Sequence, residues 1–221
     1  MARRNDHSRE QLYDMALDAA RQVVGEDGFR ALTARNVAEA IGYSPGTLYN
    51  IFSNLDDLIL HLNGSTLDSL HAAISRTALS GYPYKDLEQL LEAYLGFLES
   101  NPNLWRAITD YSLPEGAEVP EWYGRKVDKV LSVVETAIAP AYGNDSEFRE
   151  TPTAAARVLW AGLHGICSLS DAGKLDVLGT ASVRNMAKIL ATNFIAGVEA
   201  RRSRNEFEYK PSVGLIDGEK Q

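Results

Sequence analysis

At 221 residues the chain is long enough for one large helical domain, or for a small head on a larger body. Its 45% apolar and 24% charged content excludes a disordered chain, and no apolar run reaches the length of a membrane span. The net charge of −8 argues against indiscriminate binding to nucleic acid, and one Cys with four scattered His excludes an internal disulfide and a metal box.

Helical periodicity runs through the chain, and no alternating strand pattern of useful length interrupts it. Ser8 with Gln11 forms a capping-box start, after which Leu12, Met15, Ala16, Ala19, Ala20, Val23 and Val24 trace one apolar stripe to a stop at Gly28. Thr33 caps a second helix running to about Ile41, with Val37, Ala38 and Ile41 buried. Gly42 supplies the positive φ of a tight turn, and Ala38 is small enough for the next helix to cross over it. Ser44 caps a third helix that opens with Pro45 and Gly46 and ends at Phe52. That helix exposes Thr47, Tyr49 and Asn50 while burying Leu48, Ile51 and Phe52, the anatomy of a helix-turn-helix whose second helix enters a DNA major groove.

Ser53 or Asn54 caps a fourth helix, with Asp56 and Asp57 favourably placed in its first turn. Its pattern continues to about Leu79, with Asn63-Gly64-Ser65 as a weak spot that bends it. Gly81-Tyr82-Pro83 breaks the chain before a fifth helix carrying Leu87, Leu90, Leu91, Tyr94, Phe97 and Leu98. Asn101-Pro102 starts a short sixth helix holding Leu104, Trp105, Ile108 and Tyr111. A loop from Pro114 to Pro120 precedes a seventh, from Trp122 to about Ile138, and a polar loop from Pro140 to Glu150 follows. The last two helices are expected near Thr153–Leu169 and Thr180–Arg202. Small and apolar residues mark both: Ala154, Ala155, Val158, Ala161, Gly162 and Gly165 on one, Ala187, Leu190, Ala191, Phe194 and Val198 on the other. Such surfaces suit close helix packing, including packing against a second copy.

The predicted fold is all-α with about nine helices: a three-helix head with the helix-turn-helix at 1–54, a larger helical ligand-binding and dimerisation body at 55–204, and a flexible tail at 205–221. Residues 1–54 carry six Arg against seven acidic side chains, a net of −1, and the rest of the chain carries −7. The head is thus neutral and the body acidic. Few cations release few counterions, so non-specific affinity for DNA is expected to be low, and repulsion of the body by phosphates helps to orient the head.

The stretch G-F-R-A-L-T-A-R-N-V-A-E-A-I-G-Y-S-P-G-T-L-Y-N-I-F-S-N-L-D-D-L, Gly28 to Leu58, resembles the core of the TetR family of bacterial transcriptional regulators. A second stretch, L-W-A-G-L-H-G-I-C-S-L, Leu159 to Leu169, resembles the W…HG signature of one TetR subgroup's C-terminal domain, mainly through Trp160, His164 and Gly165. The resemblance implies a DNA-binding head on a ligand-binding body, and last helices that pair across a two-fold axis as a four-helix bundle. It implies a homodimeric repressor released from a pseudo-palindromic operator by a small-molecule effector. Where that family commonly opens its fourth helix with a phosphate-contacting Lys, this chain has Asn54.

The candidate DNA-binding residues are Thr33, Arg35, Ser44, Pro45, Gly46, Thr47, Tyr49, Asn50 and Asn54. Tyr49 would donate to a phosphate, Asn50 or Thr47 would read a base edge or a thymine methyl, and Thr33 and Ser44 would hold phosphates. The competing account is an ordinary solvated helix face. Arg3 and Arg4, ahead of the first cap, form either a minor-groove arm or a solubilising tail. The candidate ligand-binding residues are Tyr94, Trp105, Tyr111, Trp122, Trp160 and His164, against the alternative that they are core. Cys167 reads as a small buried hydrophobe.

No nucleophile–base set, phosphate loop or metal spacing points to an enzyme, and no cofactor is expected. Double-stranded DNA, a small-molecule effector and a second copy are the expected partners, with no membrane. The opening residues lack the apolar core of a signal peptide, and a cytoplasmic address is expected. Two alternatives use the same residues: an activator, or a helical small-molecule-binding protein or enzyme with a vestigial head.

Overall fold

Residues 7–143, 151–175 and 182–204 are described in the computed structural model, and they hold nine α-helices and no strand. The expected Arg3–Arg4 arm and the tail at 205–221 lie outside the described residues.

Helix α1 (Arg9–Asp27) starts where the capping box places it, with Gln11 N donating to Ser8 Oγ at 3.2 Å and Ser8 N donating to Gln11 Oε1 at 2.8 Å. Gly28, at φ 83°, ends it. A 3-10 turn (Phe29–Ala31) leads to α2 (Ala34–Ala40), capped by Thr33. Gly42 turns the chain at φ 74°, and Tyr43 N donates back to Ala38 O across the corner. Helix α3 (Pro45–Leu48) is shorter than expected: regular α-helix stops at Leu48 rather than at Phe52. The spiral nevertheless continues, with Asn50 N and Ile51 N bonding three residues back and Phe52 N reaching Leu48 O. Leu48 and Phe52 are both pinned in the core, so the backbone tightens between them to bring both rims inward.

Helix α4 (Leu55–Ile74) is capped by Asn54, whose side-chain oxygen accepts from Asp57 N at 2.8 Å. It ends at Ser75 instead of running to Leu79. The Ser75 hydroxyl and backbone both turn onto His71, and a three-residue turn at Thr77 closes the spiral. The expected weak spot at Gly64 lies within unbroken helix. Its glycine serves a crossing: a Cβ there would stand 2.9 Å from the Trp122 ring.

Helices α5 (Pro83–Ser100), α6 (Pro102–Asp110) and α8 (Pro152–Asp171) each open with Pro at a position whose N–H has no helical partner anyway. Helix α7 (Glu121–Tyr142) runs through Pro140, one turn beyond the expected end at Ile138, because Ile138, Ala141 and Tyr142 all have core to fill. Tyr111 follows α6 as its cap instead of belonging to it. Helix α9 (Val183–Arg204) begins three residues after the expected Thr180, which is outside the described residues.

In the first turn of α5, the buried carboxylate of Asp86 accepts from Ser80 N, Ser80 Oγ and Gly81 N at 2.6–2.8 Å. Burial alone would raise its pKa, but the three donors outweigh it and hold the group below the usual carboxylate range. The chain break at Gly81-Tyr82-Pro83 is therefore a fixed corner.

The apolar core of the head does not stop at Asn54. Leu58, Ile59 and Leu62 of α4, and Leu104 and Ala107 of α6, share one cluster with Ala16, Val24, Val37 and Leu48. Asn103 Nδ2 donates to Gly25 O and Asn63 Nδ2 to Ala107 O, tying α6 between α1 and α4. Two further clusters fill the body between α4, α5, α7, α8 and α9.

Candidate nucleic-acid interface and body cavity

The outward side of the α2–α3 corner collects the DNA-facing candidates. Thr33, Arg35, Ser44, Pro45, Gly46, Asn50 and Asn54 are exposed, Thr47 is half-buried, and Tyr49 is 52% exposed. Leu48, 2% exposed, and Phe52, also 2%, anchor the opposite side of the same spiral. Ser44 makes no side-chain cap to its helix; its hydroxyl shares a 3.3 Å bond with that of Thr47. Thr33 Oγ1 accepts from Asn36 N, so its own proton remains available to an acceptor outside. The Asn54 oxygen is spent on its cap, which leaves its amide protons as the donors it can offer.

Two contacts here escaped the sequence reading. Arg9 donates to Ile51 O at 3.4 Å, closing the end of the α3 spiral from α1, and His7 Nδ1 pairs with Tyr43 Oη at 2.7 Å beside the turn. Both cross 36 or more positions, and no local pattern announces them.

The six aromatic candidates of the body do not form one set. Tyr94, Trp105, Trp160 and His164 cluster, with ring centroids 5.5–6.3 Å apart and mostly edge-to-face. Tyr111 lies elsewhere. Its ring meets Phe29 and its hydroxyl donates to Asp56 at 3.1 Å, joining the end of α6 to the head; burial, with Asp56 beside it, pushes its pKa up to about 12. Trp122 also lies elsewhere, stacked on His61 at 4.5 Å and 9°.

His61 sits where α1, α4 and α7 meet. Tyr13 Oη of α1 bonds its Nδ1 at 3.0 Å, Asp57 faces its Nε2 at 3.4 Å, and the Phe52 ring lies 5.7 Å away. The Asp57–His61 spacing of four residues hinted at that pair, but nothing in the sequence pointed to the stack on Trp122. Burial lowers the His61 pKa; Asp57 opposes this and Lys126 adds to it. Burial lowers that of His164 likewise. With folded values below the ordinary 6.5, the unfolded chain binds more protons, so stability falls as pH drops through 6.5 toward the folded values. The melting temperature is expected to decline between pH 7.5 and 5, and less steeply in His61→Phe, which keeps a ring against Trp122. An unchanged slope in the variant would contradict this placement of His61.

Between α4, α5, α7, α8 and α9 lies a narrow, partly open apolar recess with a cavity volume of about 60 Å³, smaller than the usual ligand pocket. Of the six candidates only Tyr94 and Trp160 line it. Trp105 instead faces a surface cleft shared with Cys167, Asp171 and Arg184. Outside the α5–α9 seam, Lys188 pairs with Glu88 and Glu92 at 3.0 and 3.2 Å, and Arg184 with Glu92 and Glu99. The spacings of four and seven between the Glu residues of α5, against four between the cations of α9, are the sequence signal for this seam.

The small residues of the last two helices divide between two faces. Ala155, Gly162, Ala187, Leu190, Ala191, Phe194 and Val198 turn inward, where Leu190 comes so close to Gly162 that a Cβ would stand 2.9 Å from it. Ala154, Val158, Ala161, Gly165 and Leu169 of α8, with Ile189, Ala196 and Gly197 of α9, are exposed, Val158 and Ile189 by more than half. Among the described residues no group of His, Cys, Asp or Glu is placed to hold a metal ion, and no helix is long and apolar enough to cross a membrane.

Residues 16–62 match the family model described as bacterial regulatory proteins, tetR family, and residues 87–193 match that of the tetracyclin repressor-like C-terminal domain. Together they span more than two thirds of the chain. No curated protein matches it. Solved structures share the fold. A protein of unknown function from Rhodococcus sp. RHA1 is 22% identical, with a TM-score of 0.65 over 89% of this chain and 98% of its own. A TetR transcriptional regulator from the same organism is 18% identical, with a TM-score of 0.63 over 85% and 97%. The transcriptional regulator FadR from Bacillus subtilis, in complex with stearoyl-CoA, is 14% identical, with a TM-score of 0.57 over 84% and 98%.

Proposed function

We propose that this chain, which belongs to the TetR family of bacterial regulatory proteins, acts as a homodimeric cytoplasmic repressor that leaves its operator when a small molecule occupies the body. The observation that carries this reading is the α3 spiral, with Leu48 and Phe52 locked in the core and Thr47, Tyr49 and Asn50 turned out. Two such spirals, one per protomer, enter successive major grooves and read base edges, while Thr33, Arg35, Ser44 and Asn54 hold the backbone. The head so defined spans residues 1–54, but its core is shared with α4 and α6, so a shift of either helix is felt at the recognition spiral.

The switch follows from the same connection. Helix α7 lines the recess through Val130 and Val134 and, two turns or more earlier, carries Trp122 against His61. A ligand that favours a different seat for α7 moves this stack, and with it α4 and the spacing of the two heads, to the extent that it binds the two arrangements unequally.

The test is fluorescence anisotropy of the full chain on DNA flanking its own gene, over a range of salt. Specific, saturable binding is expected. Among the described residues Arg9 and Arg35 are the exposed cations taken to meet phosphates in each head, so the salt slope is expected to be shallow, about −4 for a dimer. No specific retention at any salt would overturn the reading.

A further inference from the structure

We propose that the body recess takes an uncharged aliphatic molecule bearing one hydrogen-bond-accepting oxygen, and that the hydroxyl of Tyr94 binds that oxygen. The inference rests on the effector site described above, but it is tested without DNA.

Fourteen side chains line the recess, and twelve of them are Ile, Leu, Val or Ala. None is charged. An ionised carboxylate or ammonium buried here would lose its hydration with no counter-charge, a cost that an apolar wall does not return. The nearest basic side chains on α9, Arg184 and Lys188, face outward and are already held by Glu88, Glu92 and Glu99. The wall therefore selects a neutral hydrocarbon body.

The polar end is set by the aromatic cluster. Tyr94 Oη, Trp105 Nε1 and His164 Nδ1 are buried and make no hydrogen bond, and Tyr94 and Trp105 are 5% and 1% exposed. The Cys167 thiol beside the Tyr94 hydroxyl is a weak partner at best. Buried polar atoms without partners are uncommon and costly, and three in one cluster mark a place where a partner belongs. Two of the three, the phenol and the indole N–H, are donors; burial keeps the phenol protonated by raising its pKa far above the ordinary value. The partner they require is an acceptor. Tyr94 and Trp160 both line the recess, and Trp160 also packs against Tyr94, Trp105 and His164. The recess, about 60 Å³ in this structure, widens as that indole turns aside, which admits the aliphatic chain, brings its oxygen to Tyr94 and makes Trp160 fluorescence report the event.

The experiment titrates the full chain with 2-undecanone, and separately with undecanoate at pH 7.5, following tryptophan fluorescence and calorimetric heat. The ketone is expected to bind in the micromolar range and at least thirtyfold more tightly than the carboxylate. Tyr94→Phe keeps the ring in its edge-to-face contacts and is expected to weaken ketone binding about tenfold. Ala191→Phe, which fills the recess from α9, is expected to abolish it. Absence of ketone binding, equal affinity for undecanoate, or wild-type affinity in either variant overturns the proposal. Failure to bind operator, with ketone selectivity intact, overturns the regulator and leaves this site standing.

Discussion

Replacing Tyr49 and Asn50 together with Ala is expected to lower operator affinity at least about 100-fold and to leave the fold in place. A good base contact discriminates by about 1–3 kcal/mol, and the substitution removes contacts in both protomers, so about 2.8 kcal/mol is a modest demand. Stability is another matter. Tyr49 is 52% exposed, Asn50 is exposed, and neither side chain makes a hydrogen bond within the protein, so the melting temperature is expected to move by no more than a few degrees. Leu48→Ala is the contrasting variant. It empties a site that is 2% exposed and is expected to cost about 2–5 kcal/mol, so any loss of DNA binding there comes with a loosened head. Anisotropy and thermal melting on the two variants separate contact from collapse. Wild-type affinity in the Ala double variant would remove the recognition spiral from the account.

Val158→Glu is expected to convert the dimer to a monomer and to cut operator affinity about 1,000-fold. On α8, Ala154, Val158, Ala161, Gly165 and Leu169 recur at intervals of three and four and form one exposed stripe, with Ile189, Ala196 and Gly197 of α9 beside it. Small residues let a second copy approach closely, and Val158, Leu169 and Ile189 supply the apolar area. In the single chain Val158 is 58% exposed, so Glu is tolerated there and the protomer still folds. In the proposed four-helix interface two Glu side chains would be desolvated near a two-fold axis without partners, which costs several kcal/mol. With the protomers separated, the second head loses the high effective concentration that the first provides. Sedimentation equilibrium reads the outcome directly. A variant that stays dimeric places the interface elsewhere.

How far the sequence carried the reading varies with the kind of signal. Ser8 with Gln11, Thr33, Gly42 and Asn54 are local capping and turn chemistry, and each sits at the boundary that chemistry demands. Periodicity likewise found the buried side of every helix in the head. It failed where tertiary contacts decide. Gly64 looked like a flaw in α4 because its reason, the Trp122 ring, lies 58 positions away. The α3 spiral tightened after Leu48 because two distant core contacts pull on it, and Ser75 ended α4 early through its own side chain and backbone. Aromatic residues were legible as a class but not in their grouping. Tyr111 and Trp122 hold the head to the body, whereas Tyr94 and Trp160 line the recess, and composition cannot tell a clasp from a wall. The two faces of α8 and α9 were equally blended, since small residues serve the inner and outer contacts alike.

The central claim is that two copies of the α3 spiral read two half-sites on one face of the duplex, and footprinting of the retained fragment tests it most directly. The account predicts two protected segments of like sequence, inverted about a common centre and one helical turn apart, with protection lost together in the Tyr49 and Asn50 double variant. A single protected half-site, or protection that survives that variant, would contradict it.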